Sequence, residues 1–289
     1  MSDSLRLPLE AWGRRLLADG EAWADRSRWR GLAYEFLWFG LKQGWACLFG
    51  GLMLALIVGT FLLWPGNASV SRYDFLVAGA VVIQAGMLLL KLETWEEARV
   101  ILLFHIAGTI MELFKTYHGS WIYPEDSVLR IGAVPLFSGF MYAAVGSYIA
   151  RVQRIFHIRV RGYPPTWTTW LLAAAIYVNF FAHHWLPDVR LALFAATALL
   201  FGRGWFFFTA DRKRRGMPLL VGYGLVALFI WLAENLGTFG RAWVYPGQEA
   251  GWAMVGLEKL GSWFLLMIIS IVLVSIVHPP EDEGRGVRA

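Results

Sequence analysis

Eight apolar runs, each near the length needed to cross a bilayer, constrain this chain more than any other feature. They fall at residues 44–64, 74–91, 99–117, 131–150, 167–186, 190–210, 217–236 and 259–278. A hydrocarbon core takes about 20 apolar helical residues, and only helices and closed barrels satisfy their backbone groups there. Hydrophobic residues fill 57% of the 289 positions and charged residues only 16%, against about a quarter in a soluble domain. The expected fold class is therefore an all-α membrane protein with eight transmembrane helices. Many of the 16 Trp lie at the ends of runs, where amphipathic rings favour the membrane interface.

Lys and Arg set the expected orientation, because basic connections stay in the cytoplasm. Seven precede or enter the first run (Arg6, Arg14, Arg15, Arg26, Arg28, Arg30, Lys42). Lys91 and Arg99 flank the second connection, the fourth carries Arg151, Arg154, Arg159 and Arg161, and the sixth carries Arg212 to Arg215. The alternate connections are poor, with Arg72, Arg130, Arg190 and Arg241. Both termini are thus expected in the cytoplasm of a multi-pass protein of the bacterial inner membrane. The net charge of +5 is explained by topology, so membrane lipid is the expected partner and nucleic acid is not. Residues 1–43 lack an early apolar segment and read as an amphipathic cytoplasmic or interfacial extension, with Trp12, Leu16 and Trp23 at helical spacing. Residues 279–289 read as a cytoplasmic tail. The single cysteine, Cys47, excludes a disulfide framework and a thiolate metal cluster.

A motif occurs twice. "ELFKTYHGSWIYP" begins at Glu112 and "ENLGTFGRAWVYP" at Glu234, both fitting Glu-x3-Thr-x4-Trp-x-Tyr-Pro. The offset of 122 residues (234 − 112) also carries the first run onto the fifth and the fourth close to the eighth. The chain therefore reads as two four-helix repeats, 44–161 and 162–278, parallel because four is even, about an axis along the membrane normal.

The motif supplies the candidate substrate-binding residues: Glu112, Thr116, Trp121 and Tyr123 in one copy, Glu234, Thr238, Trp243 and Tyr245 in the other. A carboxylate inside a membrane span is costly and by default marks a cavity or a partner. The competing reading makes each Glu interhelical glue, and makes the Trp and Tyr residues an interfacial belt. His105 and Lys115 flank Glu112 at helical spacing and offer it partners, whereas Glu234 has Asn235. On that asymmetry Glu112 reads as a fixed charge and Glu234 as the proton-carrying member. No phosphate loop, His-Glu-x-x-His or Asp-x-x-Asp motif is present, so no metal and no cofactor is expected.

"HIAGTIMELFKTYHGSWIYPE" and "RIGAVPLFSGFMYAAVGSYIARV" resemble the YoaT-like family of bacterial integral membrane proteins, a domain of unknown function, over about residues 30 to 278. The resemblance implies the membrane class and no activity. A fainter likeness to membrane carotenoid hydratases and cyclases is confined to the Glu…Tyr-Pro pattern and carries no catalytic role. From the residues themselves, the first expectation is a small-solute carrier with a polar site near the outer leaflet. The alternatives are a membrane enzyme using carboxylic-acid catalysis on an isoprenoid- or carotenoid-like substrate, and a scaffold or sensor without chemistry. A cavity lined by Trp and open toward lipid would favour the enzyme.

Overall fold

The computed structural model describes residues 17–281; the Trp12 and Leu16 part of the expected amphipathic extension, and residues 282–289 of the tail, lie outside that range. The described chain opens in helix, residues 17–24 (α1). There follow α2 (Arg28–Ala46), α3 (Leu48–Leu63), α4 (Arg72–Leu89), α5 (Trp95–Tyr117), α6 (Phe137–Ile155), α7 (Thr166–Ala182), α8 (Arg190–Phe201), α9 (Leu219–Phe239) and α10 (Glu258–Val274). Five short strands interrupt them: β1 (Arg130–Ile131), β2 (Val134–Pro135), β3 (Arg159–Arg161), β4 (Trp205–Thr209) and β5 (Arg214–Pro218). The fold is mostly helical rather than purely so.

Local chemistry fixes several helix starts. Thr94 Oγ1 accepts from the Glu97 amide at 3.2 Å while the Glu97 carboxylate accepts from the Thr94 amide at 2.9 Å, a reciprocal cap that begins α5. Ser71 caps α4, and Pro165 and Pro218 precede α7 and α9 with extended ψ, which suits a residue that cannot continue a helix backward.

Among the described residues three helices, α4, α5 and α9, are long and apolar enough to cross a membrane, and α2 with α3 makes a fourth if the pair, bent by 68° at Cys47, counts as one. Runs 167–186 and 259–278 are helical over most of their length, as α7 and α10, while two others depart from the sequence expectation. Run 190–210 is helical only to Phe201. The following Trp-Phe-Phe-Phe-Thr enters an antiparallel sheet, order β3-β4-β5, because aromatic residues suit a pleated surface and Gly202 and Gly204 break the helix. Run 131–150 begins as the β1–β2 hairpin around Gly132 at φ +58°, and its helix starts only at Phe137.

The outer surface of the helices is strongly apolar: Leu63, Leu89, Leu191 and Leu199 are each more than 80% exposed, more than soluble monomers usually tolerate in clusters. Inside, α5 packs along α6 and α9 along α10, while α6 lies against α3 and α10 against α7. Close approach of α5 and α6 depends on Gly108, where a Cβ would stand 2.6 Å from Tyr142 Cγ.

Candidate functional site

Each motif folds back on its own glutamate. α5 ends at Tyr117, Gly119 at φ +67° reverses the chain, and the segment returns so that Trp121 and Tyr123 reach Glu112. Glu112 Oε2 accepts from Trp121 Nε1 at 2.7 Å and from the Tyr123 hydroxyl at 2.6 Å; Oε1 accepts from the Tyr142 hydroxyl on α6 at 2.8 Å. Glu234 Oε1 accepts from the Tyr245 hydroxyl, and Oε2 from Trp263 Nε1 on α10 at 2.7 Å. Both glutamates are buried, 4% and 3% exposed. Burial, the adjacent Glu112 charge and the hydrogen bond to it hold the Tyr123 hydroxyl well above its usual pKa, and Glu234 acts likewise on Tyr245. Both phenols stay protonated donors.

The two copies meet. Ile122 and Val244 form an antiparallel bridge, and the Trp121 and Tyr245 rings stand edge to face at 6.0 Å. Lys259 Nζ lies 4.2 Å from the Tyr245 centroid and 5.9 Å from that of Trp121. Glutamates, aromatic donors and lysine from the two copies of the motif and from α10 thus stand together.

That group lines part of a cavity of about 1730 Å³, larger than the usual 300–1,000 Å³ of a small-molecule pocket. Glu112, Lys115, Glu234 and Lys259 line the motif end, Phe229, Ile230 and Leu266 the body, and Phe156, Phe208 and Arg159 the end next to the three-stranded sheet. The lining is mainly apolar.

Several sequence expectations need correcting. Trp121 and Tyr123, for which an interfacial belt was the competing reading, line the cavity and donate to Glu112. Lys115 does not pair with Glu112: its Nζ lies 3.2 Å from His184 Nε2 and 4.2 Å from the Phe180 centroid. The His105 ring lies 4.7 Å from that of Phe140, tilted by 57°, and its Nδ1 has no partner among the described residues. Thr116 and Thr238 donate to the Glu112 and Glu234 carbonyls one turn back, as hydroxyls in membrane helices commonly do. Asn235 donates to the Trp231 carbonyl and accepts from the Val255 amide, pinning the connection to α10. Trp243 lines the cavity but packs over Gly237, where a Cβ would stand 2.6 Å from its ring. The structure gathers Glu112, Lys115, Trp121, Tyr123, Glu234, Trp243 and Tyr245 at the cavity, and leaves Thr116, Thr238, His105 and Asn235 out of its lining.

A model of the family described as "Protein of unknown function (DUF817)" matches residues 35–271. The chain belongs to the DUF817 family. It is similar to "Uncharacterized protein YoaT" of Bacillus subtilis (strain 168), 39% identical over 250 residues, covering 86% of this chain and 94% of that protein. No solved structure matches. In this DUF817 chain, sequence reasoning missed Tyr142, Trp263 and Lys259. Subtracting the offset puts Trp263 on position 141 (263 − 122), beside Tyr142, so the repeat itself carried a usable signal.

Proposed function

We propose that this is a polytopic membrane protein whose interior cavity holds a lipid-soluble molecule, with Glu112 and Glu234 at its polar end. The observation that carries the reading is the apolar, aromatic lining of a cavity this large. A polar solute would desolvate against Phe229, Ile230 and Leu266 without compensating hydrogen bonds, whereas an isoprenoid-like body gains from burial there. Eight spans in two parallel repeats, 44–161 and 162–278, with both termini cytoplasmic, is the architecture that goes with it. Its support is the alternation of basic connections, the bridge between Ile122 and Val244, and the like packing of α6 on α3 and α10 on α7.

The glutamates, ringed by neutral donors, supply a proton donor or acceptor beside such a ligand, and Trp121, Tyr245 and Trp263 supply ring faces for developing positive charge. The small-solute carrier is the second reading. It is favoured by one feature: polar groups stand at both ends of the cavity, Lys115 and Arg190 at one, Arg154, Arg159 and Glu281 at the other. Solvent extraction of protein purified in its native lipids, followed by mass spectrometry, separates the two. A stoichiometric apolar molecule, depleted in an Ala233→Phe variant that narrows the cavity, is expected; a polar metabolite held at that stoichiometry would overturn the reading in favour of the carrier.

A further inference from the structure

We propose that the ligand carries an anionic group, and that Lys115 and Lys259 hold it at the motif end of the cavity. The inference rests on the lipid-soluble reading above and names the substrate class as a single-tailed lipophilic anion, such as a long-chain carboxylate. Lys115 comes from the last turns of α5 and Lys259 from the first turn of α10, one from each half, and both line the cavity. Lys115 is buried at 4% exposure. A charge taken out of water to that degree needs a counter-charge or a full set of hydrogen bonds. Among the described residues neither lysine forms an ion pair. Lys115 has one imidazole nitrogen and the Phe180 ring; Lys259 has the Tyr245 and Trp121 rings.

Glu234 and Glu258 stand near enough to act on Lys259 through space, and Asp188 on Lys115, but none of the three makes an ion pair with either lysine among the described residues. Glu112 accepts from Trp121, Tyr123 and Tyr142, and Glu234 from Tyr245 and Trp263, so the hydrogen bonds of both go to neutral donors and not to a lysine. Arg190, at the same end, is engaged with Asp188 at 3.0 Å. An ammonium carries three donors, and a ring face offers attraction without an acceptor lone pair. Two ammonium groups with unfilled donors, at the end of an apolar cavity, fit an anion accepting charge-assisted hydrogen bonds from both. The apolar tail then runs toward the sheet end along Ile230 and Phe229.

The test compares palmitate, palmityl alcohol and inorganic phosphate on the full chain in detergent, read as bound adducts by native mass spectrometry. Palmitate is expected to bind at least about tenfold more tightly than the alcohol, a factor worth about 1.4 kcal/mol. Lys259→Met, and separately Lys115→Met, should lower that preference with the alcohol's affinity unchanged, while Lys259→Arg retains it. Equal affinity of acid and alcohol in the wild-type protein would overturn the anionic assignment and leave the lipid-soluble reading standing. Phosphate displacing palmitate at comparable concentration would overturn both, since the tail would then contribute nothing. The wild-type comparison decides even if a lysine variant fails to fold.

Discussion

Ile122 and Val244 exchange both of their main-chain hydrogen bonds, N to O at 3.0 Å and 2.9 Å. Their separation (244 − 122 = 122) equals that of Glu112 and Glu234. In an antiparallel pair, residues that exchange both bonds lie directly opposite each other, so the two main-chain segments are related at that point by a local twofold.

Cysteines at these two positions should therefore join. Opposed residues of this kind have Cα atoms about 5.5 Å apart, inside the 4.4–6.8 Å range of disulfides. In a Cys47→Ser background, Ile122→Cys with Val244→Cys is expected to give an intramolecular bond under mild oxidation, seen as faster migration on a non-reducing gel. Free thiols in the folded, oxidised protein would sink the contact between the halves.

Glu112 separates glue from chemistry. In Glu112→Gln the side-chain oxygen can keep Trp121 and Tyr123 while the Tyr142 hydroxyl rotates to accept from the new amide, so stability should fall by only about 1 kcal/mol. Glu112→Leu strands all three donors and should cost at least about 3 kcal/mol. Thermal unfolding of both variants in detergent checks the order. Similar losses would mean that the three hydrogen bonds do not set the stability of this end.

Arg72 is a structural tie that charge counting hid. It is 3% exposed, pairs with Glu125 at 2.6 Å, and donates to the Gly240 and Arg241 carbonyls at 2.9 Å each. A cation thereby satisfies the two carbonyls that follow the C-terminus of α9. Arg72→Met leaves the Gly240 carbonyl and Glu125 without that partner, while the Tyr73 hydroxyl still donates to the Arg241 carbonyl at 2.9 Å, and is expected to lose about 2–3 kcal/mol. Arg72→Lys should recover less than half, since an ammonium cannot present a planar fork to Glu125 and two carbonyls together. Full recovery by lysine, measured by the same unfolding assay, would refute the tie.

Much of the helical framework was legible because apolar runs must become helices where backbone groups have no water to bond. The aromatic run ending 190–210 was not, since a short apolar stretch reads equally as strand or helix until its glycines and pairing partners are known. Glu112 and Glu234 stood out through their cost. Their donors on α6 and α10 did not, because Tyr142 and Trp263 are 30 and 29 residues away and reach them only once helices pack. Trp121 and Tyr123 were legible as candidates from the motif but not as donors to Glu112, because the turn at Gly119 that folds them back onto it appears only in the structure.

Orientation is open to a direct check. Reporter fusions at 92–98, 151–166 and 211–216 should read as cytoplasmic, and fusions at 65–73, 118–129, 187–189 and 237–257 as external. An external signal from the loop of Arg212 to Arg215 would break the eight-span arrangement and the parallel repeat with it.

The central claim, that the cavity between the halves holds a lipophilic molecule by its polar end, is met most directly by a cryo-electron-microscopy map of the protein in nanodiscs of its native lipids. Continuous, elongated density is expected between Phe229 and Leu266, its head within hydrogen-bonding reach of Lys115 and Lys259 and beside Glu112 and Glu234. A cavity holding only separate, water-sized peaks along its length would contradict the account.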